Sequence, residues 1–310
     1  MLKKISIVCT LLCSLQASAA KEHQLDVILD WVVNPNHGPI IVAKQKGYFK
    51  DEHLNVQLHE PTDPSMPAKL VAAKKYDLAV TYQEDFTYDL AKNLPLMKVS
   101  TLISSPLNCI MVLKKSGITK LSQLDGKKLG YSIPSSKEAL HVMVGYGLEK
   151  KPKVDMVHVG WNISQSLLSG RVDAVSGGYR NFEKYQLNAH GEEVVMFFPE
   201  DYGVPVHDEL ILVSHQNAKK TEAFRGFNRA LERATQYISN HPDLAWQDFI
   251  AYNPKNLDNP LNKKAWMATL IRYDHRPGAV DASRYLTYAN YMHQHHIIQK
   301  IPDFSKALFR

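Results

Sequence analysis

The sequence predicts an α/β protein of two lobes, each a doubly wound mixed sheet flanked by helices, with a ligand cleft between them. Three observations carry this reading. Short apolar runs alternate with segments of helical periodicity, the pattern of largely parallel sheets with helices on their faces. The same strand and helix programme runs twice, on either side of the stretch Ser105 to Asn108. A late apolar run, Glu209-Leu210-Ile211-Leu212-Val213, is followed only by helical signals, as a strand returning to the first lobe would be.

Taken in order, Gln24 to Leu29 alternates with period two and reads as the first strand. Pro39 to Gln45 opens a helix that Gly47 stops at the position where a C-terminal glycine is expected. Val56 to Glu60 is a strand, Pro67 to Lys74 a helix and Leu78 to Thr81 a third strand. The second round begins with the strand Cys109 to Leu113, the short helix Leu121 to Leu124 and the strand Lys128 to Ser132. Ser135 and Glu138 have the spacing of a capping box for a helix running to Met143. Val154 to Val159 is a strand, Ser164 to Leu168 a helix and Val172 to Val175 a strand. After the return strand, Arg225 to Ile238 is helical, and Pro242 lies in the first turn of another helix. The expected division is residues 1–20 as a leader, 21–107 with 206–310 as lobe one, and 108–205 as lobe two.

The leader has Lys3 and Lys4 before the apolar run Ile5 to Leu15, which is too short to span a bilayer, then Ala17-Ser18-Ala19 as a cleavage site. It reads as a secretory signal peptide, so the expected location is the periplasm. Leu12 is too large for the residue a lipoprotein signal needs before Cys13. With Cys9 and Cys13 in the leader, Cys109 is left without a partner for an internal disulfide. Stability must therefore come from a packed core. The formal charge of +6 is scattered, with no basic block, which argues against a nucleic-acid partner. The chain is expected to act as a monomer.

Several motifs resemble those of the exported binding proteins of ABC importers, in the branch shared with thiamine pyrimidine synthase and the formylaminopyrimidine-binding protein. The matching stretches are Asp30-Trp31 through His37, Gly47-Tyr48-Phe49, Glu60-Pro61-Thr62-Asp63-Pro64-Ser65 and Lys127 to Tyr131. Further on come Gly170 to Ala174, Gly178-Tyr179 with Asn181 and Glu183, and Tyr202-Gly203-Val204-Pro205. The Gly-Tyr-Phe and Gly-x-Val-Asp-Ala stretches are shared widely, whereas Trp31 with Glu60-Pro61-Thr62 and the Tyr202 segment are more specific to the pyrimidine branch. The resemblance implies the type II periplasmic binding protein fold, a thiamine-type pyrimidine as ligand, an inner-membrane permease as partner, and no cofactor. The synthase of this branch needs a Schiff-base Lys and a His four residues later, and the matching positions here are Thr81 and Asp85. The synthase's Cys-rich iron segment is missing after Cys109, and its Gly-rich phosphate loop corresponds to Ile133-Pro134-Ser135-Ser136. An enzyme is therefore not expected.

The expected ligand-binding residues are Trp31, His37, Tyr82, Tyr179, Asn181, Glu183 and Tyr202. Trp31, at the end of the first strand, suits stacking on a planar ring, which contributes about 1–3 kcal/mol. Tyr82, Tyr179 and Tyr202 suit closure around that ring, and Asn181 and Glu183 suit the donor and acceptor edge of an aminopyrimidine. His37 follows Trp31 in the same turn. A sulfonate or other small anion is the alternative ligand, and Arg180 with the Ser135–Ser136 pair argues for it. The cluster His293-Gln294-His295-His296 has no further ligand at metal spacing and reads as a solvated face, so no metal is expected.

Overall fold

The computed structural model describes residues 22–133, 137–146 and 153–310. The leader and the Ser135–Ser136 pair lie outside the described residues. Among the described residues, ten strands form two five-stranded sheets. The first contains β1 (His23–Ile28), β2 (Leu54–His59), β3 (Leu78–Thr81) and β4 (Leu96–Ile103), with the late strand β10 (Leu210–His215). The second contains β5 (Asn108–Leu113), β6 (Lys128–Tyr131), β7 (Asp155–His158), β8 (Ala174–Tyr179) and β9 (Val194–Phe197).

The two sheets follow one plan. In the first the order is β2-β1-β3-β10-β4, and in the second β7-β6-β8-β5-β9. Strands β2, β1 and β3 run parallel, as do β7, β6 and β8. In each sheet the fourth strand is antiparallel to both neighbours, and it is the strand that arrives from the other sheet. The chain leaves the first sheet after Ile103, enters the second at Asn108, leaves it after Phe197 and re-enters the first at Leu210.

Strand periodicity sorts the core into layers. Successive side chains point to opposite faces of a sheet. Accordingly Val80, Leu210 and Leu212 join one apolar cluster, while Ala79, Ile211 and Val213 join another on the opposite face. In the second sheet Ile110 and Val112 face one cluster, and Cys109, Met111 and Leu113 the other. The long helix Thr221–Asn240 buries Phe224, Phe227, Leu231 and Ile238 on its inner stripe, against the first sheet's core. Cys109 is a buried free thiol, and burial pushes its ionisation far above the ordinary range.

The sequence reading missed β4, β9 and the helix Gln83–Ala91. Strand β4 carries Lys98, Ser100 and Thr101 where a buried strand should be apolar. Each is matched by a distant group. Lys98 Nζ donates to the Ala279 carbonyl at 2.8 Å, Ser100 pairs with Asn228, and Thr101 Oγ1 donates to Asp208. Those partners come from much later in the chain, so local patterning could not announce the strand. Gly47 does end its helix in a left-handed conformation (φ +74°), but a further turn, Tyr48–Asp51, follows at once.

Candidate functional site

A cleft lies between the two sheets, beyond the carboxyl ends of β1, β3 and β8. Strand ends are where open α/β sheets leave backbone and loop side chains free to face a ligand. The cleft encloses about 800 Å³ of non-atom space, its open mouth included. Trp31 and Tyr82 reach it from the first sheet, and Tyr179 and Phe182 from the second. Both walls are thus aromatic.

Beneath Trp31, Asp30 organises the floor. It is 3 % exposed, and its two oxygens take two different donors. Asp30 Oδ1 lies 2.8 Å from His37 Nε2, and Oδ2 accepts the Tyr82 hydroxyl at 2.8 Å. His37 Nδ1 accepts the Asn34 backbone N–H at 3.2 Å, so the imidazole proton must sit on Nε2 and point at Asp30. The short helix Pro35–His37 creates this arrangement, because Asn34 caps it and accepts the Asn36 N–H at 2.9 Å. Burial, followed by the charge of Asp30, holds the Tyr82 hydroxyl well above its ordinary ionisation range, so it remains a donor. Tyr179 faces Tyr82 across the cleft, and burial likewise holds its hydroxyl well above its ordinary ionisation range.

The second sheet's side is shaped by a kink in β8. Register shifts between Cys109 and Met111 along β5, and Gly177 opposite takes φ +88°. A Cβ there would stand 3.2 Å from that of Ser132, in a backbone conformation that L-residues avoid. Asn108 Oδ1 accepts the Gly177 N–H at 2.9 Å and holds the kink. The strand then delivers Tyr179 and, one turn later, Glu183. The Glu183 carboxylate accepts the Tyr179 N–H at 2.6 Å. Burial raises its ionisation to about 7, against the opposing pull of that N–H and of its own.

Of the seven expected residues, the structure brings Trp31, Tyr82, Tyr179 and Glu183 to the cleft and places three elsewhere. His37 is fully buried behind Asp30, so it positions a cleft carboxylate rather than facing the cleft itself. Asn181 is 2 % exposed and donates to Asn36 Oδ1 at 2.6 Å and Thr269 Oγ1 at 2.7 Å, tying the second sheet's β8 turn to the first lobe's helices. Tyr202 sits edge-on against Tyr146 and Phe197 in the second sheet's core. Its position in the sequence motif is thus explained by packing.

Arg180, too, is spoken for. Its guanidinium makes a two-pronged contact with Glu200 at 2.6 and 3.0 Å, donates to the carbonyls of Leu107 and Asn108, and lies over the Phe198 ring. It braces the crossing between the sheets. Nearby, Glu209 Oε2 accepts the N–H groups of Leu107 and Asn108 at 2.5 and 2.9 Å. Among the described residues lining the cleft there are five carboxylic side chains, Asp30, Glu84, Asp85, Glu183 and Glu209, and neither Lys nor Arg.

Sequence reasoning missed Glu84, Phe182 and Trp161. Trp161 touches Trp31 across the lobes, with ring centroids 4.0 Å apart. Its context was available: like Trp31, it follows an apolar strand and precedes a helix.

Two sheets joined by crossing segments, each with order 2-1-3-n-4, and a cleft between strand ends define the periplasmic binding protein fold. The solved alkanesulfonate-binding protein SsuA from Xanthomonas axonopodis pv. citri bound to MOPS superposes with a TM-score of 0.73, at 15% identity, over 94% of this chain and 100% of that one. The chain belongs to the NMT1/THI5-like family, whose model matches residues 34–245. A putative thiamine biosynthesis protein of Haemophilus influenzae is 47% identical over 285 residues, 91% of this chain and 90% of that one. The formylaminopyrimidine-binding protein of Halalkalibacterium halodurans is 34% identical over 241 residues, 76% of this chain and 73% of that one. The family also contains enzymes. A 4-amino-5-hydroxymethyl-2-methylpyrimidine phosphate synthase of Legionella pneumophila is 26% identical over 258 residues, 82% of this chain and 81% of that one.

Proposed function

We propose that this protein is the solute-binding component of an ABC importer and captures a thiamine-type pyrimidine, formylaminopyrimidine or hydroxymethylpyrimidine, between its lobes. The observation that carries the reading is the composition of the cleft: aromatic side chains from both sheets, carboxyls, and no cation among the described lining residues. A flat ring gains about 1–3 kcal/mol from each aromatic face it stacks on, whereas a tetrahedral anion gains little. Trp31, Tyr82 and Tyr179 supply the walls, and the free oxygen of Glu183 meets the aminopyrimidine edge. His37 and Asn181 support the site from behind.

In this reading residues 1–20 are removed on export to the periplasm, where the mature protein works as a monomer. Residues 21–107 with 206–310 and residues 108–205 close as two bodies about the crossings, and an inner-membrane permease receives the closed form. No bond is made or broken. Thr81 and Asp85 supply neither an imine-forming amine nor an imidazole. The sulfonate alternative loses its principal support, because Arg180 is committed to Glu200 and an anion in the cleft would meet carboxyls instead.

Thermal-shift titration of the mature protein with both pyrimidines, pyridoxal phosphate and taurine tests the reading. A pyrimidine should raise the melting temperature and taurine should not. A large shift with taurine and none with the pyrimidines would overturn the ligand. An absorbance band of a bound aldimine after incubation with pyridoxal phosphate would overturn the binder in favour of an enzyme.

A further inference from the structure

Beside the cleft lies a second, partly apolar recess that shares part of its lining. Leu140, Met143, Pro199, Val204 and Tyr288 line it, and Glu84, Asn108 and His207 are shared by recess and cleft. At the junction stands the Glu84 side chain, in the first turn of the helix Gln83–Ala91. Its Oε1 is buried and has no hydrogen-bond partner among the described residues.

A buried carboxyl oxygen without a partner costs stability, and natural proteins carry few of them. The recess wall does carry polar side chains, Asn108, Ser176, His207 and Tyr288, but none of them hydrogen-bonds Oε1. What could reach Glu84 is a group that enters from the cleft.

We propose that Glu84 is a specificity-determining residue whose buried carboxyl marks a subsite for a hydrogen-bonding substituent on the ligand ring, at the point where the cleft meets the recess. The inference rests on the pyrimidine reading above. Glu183 and Glu84 then divide the work. Glu183, beside Tyr179, takes the ring edge. Glu84, at the junction with the recess, takes the group that projects from the ring toward the recess, of hydroxymethyl or formylamino type. The state of the carboxyl suits this role. Burial first, then the neighbouring charges of Asp85 and Glu209, push its ionisation up to about 8, so at neutral pH it carries a proton. A neutral carboxyl both donates and accepts, and so answers a hydroxyl or an amide equally well. It also avoids placing a bare charge against the apolar side chains of the recess.

The chemistry makes a sharp distinction. A site built to hydrogen-bond a polar substituent rejects the analogue that lacks it, because the buried partner is again left unpaired. Isothermal titration should compare hydroxymethylpyrimidine with its analogue bearing a methyl in place of the hydroxymethyl. Wild-type protein should favour the hydroxyl compound by about tenfold or more, the ratio expected for one buried hydrogen bond. Glu84→Leu should bring that preference to within about threefold, chiefly by losing affinity for the hydroxyl compound, and Glu84→Gln should retain most of it. If Glu84→Leu does not give a native circular dichroism spectrum, the near-isosteric Glu84→Met carries the same comparison. Equal affinities in the wild type, or a preference unchanged by removing the carboxyl, would overturn the role of Glu84 while leaving a pyrimidine binder. Failure of the wild type to bind either compound would overturn both readings together.

Discussion

Asp30 is the side chain on which most of the cleft floor depends, and its replacement separates two physical accounts of that floor. It is buried and accepts two buried donors, His37 Nε2–H and the Tyr82 hydroxyl. In Asp30→Ala both donors lose the acceptor they share. His37 cannot turn its proton to the other nitrogen, because Nδ1 already accepts the Asn34 N–H. Each orphaned buried donor costs about 1–3 kcal/mol, so the loss should be about 2–6 kcal/mol, the lower end if a water fills the vacated space. Asp30→Asn is a different case. Its amide oxygen can serve His37 while its NH2 faces Tyr82, whose hydroxyl then accepts and turns its own proton toward the cleft. The bond to His37 is kept and the one to Tyr82 reversed, so the cost should stay near about 1 kcal/mol. Urea unfolding followed by circular dichroism measures both, with an unchanged slope confirming that only stability moved. If Asp30→Ala loses less than about 1 kcal/mol, or if Asn is as damaging as Ala, the hydrogen-bond chain from His37 through Asp30 to Tyr82 is not what holds the floor.

Trp31→Ala should weaken pyrimidine binding by about 10- to 100-fold, the value of one stacked face, as read by titration calorimetry; an unchanged affinity would remove the aromatic wall from the account. The Glu84 carboxyl ionises at about 8 in the folded chain against an ordinary 4.5, so the folded state holds a proton that the unfolded state has released. Its contribution is therefore fully present below the ordinary value and lost as pH rises through about 8. Glu84→Gln should accordingly gain stability relative to wild type between pH 5 and 8.5, and a difference that is flat in pH would refute the shift. Arg180→Met strips Glu200 of its fork and leaves two carbonyls at the crossing with fewer donors. The pair is partly solvated, so the loss should be about 1–3 kcal/mol in denaturant, and taurine is expected to fail to bind with or without the arginine.

Much of the architecture was legible along the chain, because strand and helix periods are local properties. The strands at Gln24, Leu78, Cys109, Lys128 and Leu210, the glycine stop at Gly47 and the helix around Arg225 to Ile238 each follow from spacing that neighbouring residues enforce. That Trp31, Tyr82, Tyr179 and Glu183 face a cleft was legible for a related reason: each lies at or just beyond a strand end. What could not be read is whatever depends on a partner far away in sequence. Strand β4 needed Ala279, Asn228 and Asp208 before its lysine, serine and threonine made sense as buried residues. Arg180 was ambiguous until Glu200 closed on it, and Asn181 until Asn36 and Thr269 did. Glu84 looked like any acidic residue in a first turn until folding buried its Oε1 without a partner among the described residues. Composition and period settle which elements form. The fate of a polar side chain, whether it is a strut, a clasp or an open hand, is settled by which groups desolvate it, and only the packed chain brings those groups together.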